Sequence, residues 1–128
     1  MAAHKLTPDT IFVSYSRVDW KDYVEPLVGE LKQAGLRVWL DQNLIRTGDD
    51  WLDKINEALK ICNRLILCVS QEALNSRYVK LEYRYFFRHD KPIYLIMCRQ
   101  AELPPELDGI HYVDYSRHDE LIRQLSSK

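Results

Sequence analysis

A chain of 128 residues, 46% of them hydrophobic, is long enough for one domain with a buried core and too apolar for a disordered tail. Its 18 basic and 19 acidic residues give a formal net charge of -1, and the basic residues read as scattered, so nucleic acid is not expected as a partner. No apolar run approaches membrane-spanning length, and Met1-Ala2-Ala3-His4-Lys5 lacks a signal-peptide core, so no membrane partner is expected and the setting reads as cytoplasmic.

Strand-like and helix-like segments alternate along the chain. Thr10 to Tyr15 is a short β-branched and aromatic run, the first predicted strand. Asp19 to Ala34 is helical, with Val24, Leu27, Val28 and Leu31 on one face. Pro26 removes a backbone donor there, so the regular helix should begin close to it or bend. Gly35 suits the C-cap. Leu36 to Leu40 is the second strand, and Asp41 to Asp50 a polar loop containing Gly48.

Asp49 or Asp50 can cap the next helix, where Trp51, Ile55, Leu59 and Cys62 recur on one side. Arg64 to Val69 is almost uniformly apolar, as a central parallel strand should be. A helical stretch then runs through Arg88. Pro92 to Cys98 is the fourth strand, Gln100 to Gly109 a loop, Ile110 to Asp114 the fifth strand and His118 to Leu125 a closing helix.

This alternation implies an α/β fold with a parallel sheet, right-handed crossovers and helices on both faces. Five strands favour a flavodoxin-like three-layer sandwich of order 2-1-3-4-5. Ligands would bind outside the carboxyl ends of the first and third strands, a topology that brings Arg17 and Glu82 towards one crevice.

Several chemistries are excluded. Four glycines cannot make GxGxxG or a P-loop, and GxSxG is absent. The histidines lack metal-ligand spacing, and Cys62, Cys68 and Cys98 form neither a CxxC pair nor an even set, so reduced buried thiols are expected. A phosphoacceptor receiver needs an acidic pair after the first strand and an aspartate ending the third. Ser14-Tyr15 and Ser70 stand there instead.

The remaining candidates each carry two readings. Tyr15-Ser16-Arg17 is either a ligand loop, with a guanidinium for a pyrophosphate, or a capping turn with a surface arginine. Asp41 caps a turn or holds the loop that follows, and Trp51 begins an amphipathic face where packing is the default. Leu44 and Ile45, apolar in a polar connection, either tuck back or are held out for a partner. In Ser76-Arg77-Tyr78-Val79-Lys80-Leu81-Glu82, helical spacing stacks Tyr78 and Glu82 on one face. Glu82 is either a solvated helix glutamate or a carboxylate able to stabilise a ribosyl cation.

In order and spacing, these pieces resemble a Toll/interleukin-1 receptor (TIR) domain of the bacterial, NAD-cleaving kind. The resemblance spans Ile11 to Leu125. Ile11 to Ser16 is similar to the first box, Gly35 to Asp41 to the second strand, and Gly48-Asp49-Asp50-Trp51 to the end of the "BB loop". Ser70 and Ser76-x-Tyr78-Val79-x-x-Glu82 are similar to a segment usually written S…SxWCxxE, with Tyr78 for Trp and Val79 for Cys.

The resemblance implies one TIR domain over residues 1–128, core about 10–126, as a module of a longer protein. It implies hydrolysis or cyclisation of NAD as substrate, with no cofactor and no metal, and makes Glu82 catalytic. Tyr15, Ser16, Arg17, Asp41, Trp51, Ser70 and Tyr78 would bind substrate. Leu44, Ile45, Arg46 and Gly48 would mediate contacts with other TIR domains, in innate-immune or anti-phage signalling. Members without activity act as adaptors assembling through the same contacts, the competing expectation.

Overall fold

The computed structural model describes residues 6–40 and 49–127, with the helical backbone alone at 49–51. Five strands form one parallel sheet of order β2-β1-β3-β4-β5. They are β1 (Ile11–Ser14), β2 (Val38–Leu40), β3 (Arg64–Val69), β4 (Ile93–Met97) and β5 (Tyr112–Asp114). The register pairs Phe12 with Trp39 on one side and with Leu65 on the other. The fold and strand order are those expected from the alternation of segments.

Helices α1 (Glu25–Gln33) and α5 (His118–Ser126) cover one face, where Leu27, Leu31 and Leu121 pack on Ile11, Val13, Ile66 and Ile96. Helices α2 (Asp49–Ile61), α3 (Gln71–Asn75) and α4 (Arg77–Arg88) cover the other, where Ile55, Leu59, Val79 and Phe86 meet Phe12, Leu65 and Leu67. Alternate residues of β1 and β3 therefore enter opposite layers, which is why both strands read as apolar runs. Burying each large side chain there contributes about 1.5–3 kcal/mol.

The predicted helix from Asp19 to Ala34 is regular only from Glu25. A short 3-10 turn (Arg17–Asp19) leads into a π-helical turn (Trp20–Val24), in which Glu25 N–H bonds Trp20 O. Pro26 has no N–H to return to Asp22, so the α-helical ladder is set only after it. At the other end Gly35, at φ +85°, closes the helix. Its N–H bonds Lys32 O, and Leu36 N–H bonds Leu31 O, the two bonds of a Schellman cap.

The stretch predicted as one helix through Arg88 is two. The chain breaks at Ser76, which is extended (φ -77°, ψ 127°) and whose Oγ accepts from Val79 N–H. A capping serine thus restarts the helix, and the N-cap preference of serine was the available signal. β2 and β5 are shorter than expected, Val38–Leu40 and Tyr112–Asp114. Both lie at the sheet's edges, where one side lacks a pairing strand. Lys91 follows the turn after α4 and donates to Leu59 O, Lys60 O and Cys62 O, closing the carboxyl end of α2.

Cys62, Cys68 and Cys98 are buried free thiols. Burial pushes Cys62 up to about 11, as a packed thiol requires. No helix among the described residues is long and apolar enough to cross a membrane.

Candidate active site

The alternation along β1 sends Phe12 into the layer of α4 and Val13 into that of α1. Ser14, next in the alternation and last in the strand, is 1% exposed and reaches towards α4. On α4 the buried positions are Val79, Glu82, Tyr83 and Phe86, an i, i+3, i+4, i+7 stripe facing the sheet. One of these four core positions thus holds a carboxylate. Glu82 is 2% exposed, and a buried carboxylate costs desolvation that packing alone would not select. Ser14 Oγ donates to Glu82 Oε1 at 2.5 Å, joining the carboxyl end of β1 to the second turn of α4. Sequence reasoning chose Glu82 but missed Ser14. They stand 68 positions apart, and the parity of β1 relative to Phe12 was the only signal linking them.

A second buried acid occupies the same end of the sheet and was not foreseen. Asp19 is 0% exposed at the close of the 3-10 turn. It accepts a hydrogen bond from Ser70 Oγ, at the end of β3, and from Arg99 Nε at 2.7 Å, beyond the end of β4. Arg99 lies 5.0 Å over the Tyr23 ring and 3.6 Å from Asp22. Ser70 also accepts from Ala73 N–H as the N-cap of α3. This cluster ties the turn after β1 to the tips of β3 and β4.

The other residues singled out from sequence are distributed as follows. Arg17 is exposed on the turn after β1, and Ser16 is half-buried beside it. Tyr15 packs with Trp20 at 5.5 Å between ring centroids, in the layer opposite to Glu82. Tyr78 is half-buried on the first turn of α4, one turn before Glu82. Asp41, Leu44, Ile45, Arg46, Gly48 and the Trp51 side chain lie outside the described residues.

Glu106 anchors the 99–110 loop to α4. It accepts a two-pronged bond from Arg84, at 3.0 and 3.0 Å, and a bond from Tyr83 Oη at 2.6 Å. The Arg84 bonds first, then that of Tyr83, hold its carboxyl below the usual range. An open groove of about 850 Å³ lies between β5 and α5, and neither Ser14 nor Glu82 lines it. No group of three or more His, Cys, Asp or Glu side chains among the described residues could hold a metal ion.

The family model of the TIR domain matches residues 11–126. The chain belongs to the TIR-domain family. The matched span takes in both partners of the buried pair, Ser14 and Glu82. The chain is 31% identical over 121 residues to a probable 2' cyclic ADP-D-ribose synthase, TcpO, of Methanobrevibacter olleyae, covering 92% of this chain and 33% of that protein. It is 31% identical over 71 residues to the NAD(+) hydrolase TcpC of Escherichia coli O6:H1, covering 56% of this chain and 23% of that protein. The chain thus spans a third or less of the length of these two relatives. The TIR domain of the Toll-related receptor TRR-2 of Hydra magnipapillata has the same fold, with a TM-score of 0.77 at 20% identity over 91% of this chain and 98% of that one.

Proposed function

We propose that this TIR domain cleaves NAD at the nicotinamide–ribose bond, with Glu82 as the catalytic carboxylate. The observation that carries the reading is the Ser14–Glu82 pair, a carboxylate in the buried face of a helix at the carboxyl end of β1. Two relatives named for NAD hydrolysis and for cyclic ADP-ribose synthesis support it.

The chemistry needs no second carboxylate. Ordinary glycosides require an acid to protonate the departing oxygen. Nicotinamide in NAD is cationic, and the glycosidic electron pair leaves with it as a neutral base. Positive charge then develops on the ribose, where an anionic Glu82 stabilises it and hydrogen-bonds the sugar hydroxyls. Water attacking C1' and losing a proton gives ADP-ribose. A hydroxyl of the same molecule gives a cyclic product. Ser14 fixes the rotamer of Glu82, so the carboxylate is oriented before substrate arrives.

Arg17 and Ser16 are the candidates to hold the pyrophosphate, and Tyr78 the nicotinamide ring. Tyr15, Asp41, Trp51 and Ser70 complete the set that the resemblance implies. Self-association through Leu44, Ile45, Arg46 and Gly48 would complete the site. The physiological setting proposed is cytoplasmic defence signalling, with clustering as the trigger.

The test is incubation of the protein with NAD over a wide range of protein concentrations, followed by chromatography of the products. Nicotinamide released faster than in proportion to protein is the expected result. Absence of turnover at every concentration, together with intact assembly, would leave an adaptor role instead.

A further inference from the structure

Four basic residues of α4, Arg77, Lys80, Arg84 and Arg88, follow i, i+3, i+7, i+11 spacing and so line its outward side over about 16 Å. The opposite side, with Val79, Glu82, Tyr83 and Phe86, is buried against the sheet. Glu82 is the only acidic residue of the helix, so its charge lies away from the stripe. Among the described residues, Arg84 alone of the four is paired with an acid, Glu106 at 3.0 Å. Leu81 and Phe87, 50% and 57% exposed, stand on either flank of the stripe. The face is therefore cationic with apolar shoulders, in a chain whose net charge is -1.

This face is convex. Cavities of about 850 and 410 Å³ lie at β5 and the 99–110 loop, and no residue of α4 lines either of them. A peptide ligand needs a groove or a free strand edge on its receptor, and the outer side of one helix offers neither. A lipid surface needs no pocket. Its headgroup layer accepts a single helix face, with cations among the headgroups and apolar side chains at the acyl boundary. Four or more basic residues clustered on an amphipathic helix are the pattern that anionic headgroups attract. The expectation of no membrane partner rested on spanning length, which a surface contact does not require.

We propose that the outward face of α4 docks on an anionic lipid bilayer, with Arg77, Lys80 and Arg88 among the headgroups and Leu81 and Phe87 at the acyl boundary. Arg84 is shared with Glu106 and adds less. So few cations make the contact weak, reversible and dependent on the anionic lipid content. Glu82 lies on the other side of the helix, so a bilayer on the outward face leaves it turned to the sheet. The contact stands on charge and shape whether or not NAD is cleaved.

The test is co-sedimentation with phosphatidylcholine vesicles made with and without phosphatidylserine. Binding to the anionic vesicles alone is expected. Arg77→Glu/Arg88→Glu should weaken it by at least about 25-fold, from roughly fivefold per basic residue at the surface, with circular dichroism unchanged. Leu81→Ser/Phe87→Ser should also weaken it. Lys21→Glu/Lys32→Glu makes the same change in net charge on exposed residues of the opposite layer and should stay close to wild type. Raising salt to about 0.5 M, which shortens the screening length to roughly 4 Å, should release the wild type. A wild type that binds neither vesicle or both alike, or either α4 double variant binding normally, would overturn the proposal. So would an equal loss in Lys21→Glu/Lys32→Glu, which would reduce the attraction to net charge. A wild type retained by poly-glutamate but by no vesicle would overturn it too, and would assign the face to an acidic protein.

Discussion

Two acids, Asp19 and Glu82, are buried at the same end of one sheet, yet they are held differently. Asp19 faces the guanidinium of Arg99 and the hydroxyl of Ser70, so its charge is met by a fixed cation within the fold. Glu82 takes a hydrogen bond from the hydroxyl of Ser14, which ties α4 to the carboxyl end of β1. Burial at a strand tip therefore does not by itself mark a catalytic acid. The salt bridge of Asp19 holds the turn after β1 to the tips of β3 and β4, whereas the proposed function assigns the charge of Glu82 to a substrate.

Substitutions that remove one acid or its partner separate the two roles. The largest effect is expected for Glu82→Gln, which keeps shape and hydrogen bonding but removes the charge. Nicotinamide release should fall by about 10²–10³-fold, the scale of losing one well-placed electrostatic stabiliser, with the denaturation midpoint nearly unchanged. Arg99→Ala should do the reverse. It strands the buried Asp19 charge and should cost about 2–3 kcal/mol in urea denaturation, below the range for a fully buried pair because Arg99 is 42% exposed. Asp19→Asn, which removes the charge itself, should cost less.

Ser14→Ala sharpens the contrast from the other side. Losing a charge-assisted hydrogen bond worth about 1.5 kcal/mol should lower kcat roughly tenfold with KM little changed. Ser14→Thr, which keeps the hydroxyl, should recover most of it. A rise in KM alongside the fall in kcat, with no recovery in Ser14→Thr, would make Ser14 a packing residue only.

The smallest effect concerns an ion pair nearer the surface. His118 Nε2 lies 3.0 Å from Glu30, and its Nδ1 contacts Tyr115 O at 2.6 Å, joining α5 to α1. Burial opposes protonation, but the Tyr115 carbonyl and the Glu30 carboxylate outweigh it and raise the imidazole above its ordinary value. A raised folded value contributes stability that is complete below about pH 6.5 and lost as pH rises through the folded value. Wild-type stability should thus decline by under about 1 kcal/mol on going to mildly alkaline pH. In His118→Gln that part of the profile should flatten. A pH profile that His118→Gln leaves unaltered would assign the slope to another group.

The sequence revealed features whose signals are local and left hidden those set by contacts between distant segments. The almost uniformly apolar Arg64–Val69 run ends where β3 ends, and Gly35 caps α1 as its position predicted. Glu82 stood out as a candidate because its neighbours in the chain carry the motif. Asp19 did not, since it reads as the first residue of a helix and its partners Ser70 and Arg99 lie 51 and 80 positions away. The basic side of α4, where Arg77, Lys80, Arg84 and Arg88 fall at i, i+3, i+7 and i+11, was hidden for a simpler reason. Counting charges along the chain gives scatter, whereas wrapping the same residues at 3.6 per turn gives a stripe.

The most direct test of the account is a high-resolution structure of the concentrated protein with an NAD analogue whose glycosidic bond resists cleavage. The account predicts the nicotinamide ribose at the carboxyl end of β1, its hydroxyls within about 2.6–3.2 Å of the Glu82 carboxylate while Ser14 still holds the other side of that group. A ribose bound elsewhere, with Glu82 still sealed beneath Ser14 and out of reach, would contradict it.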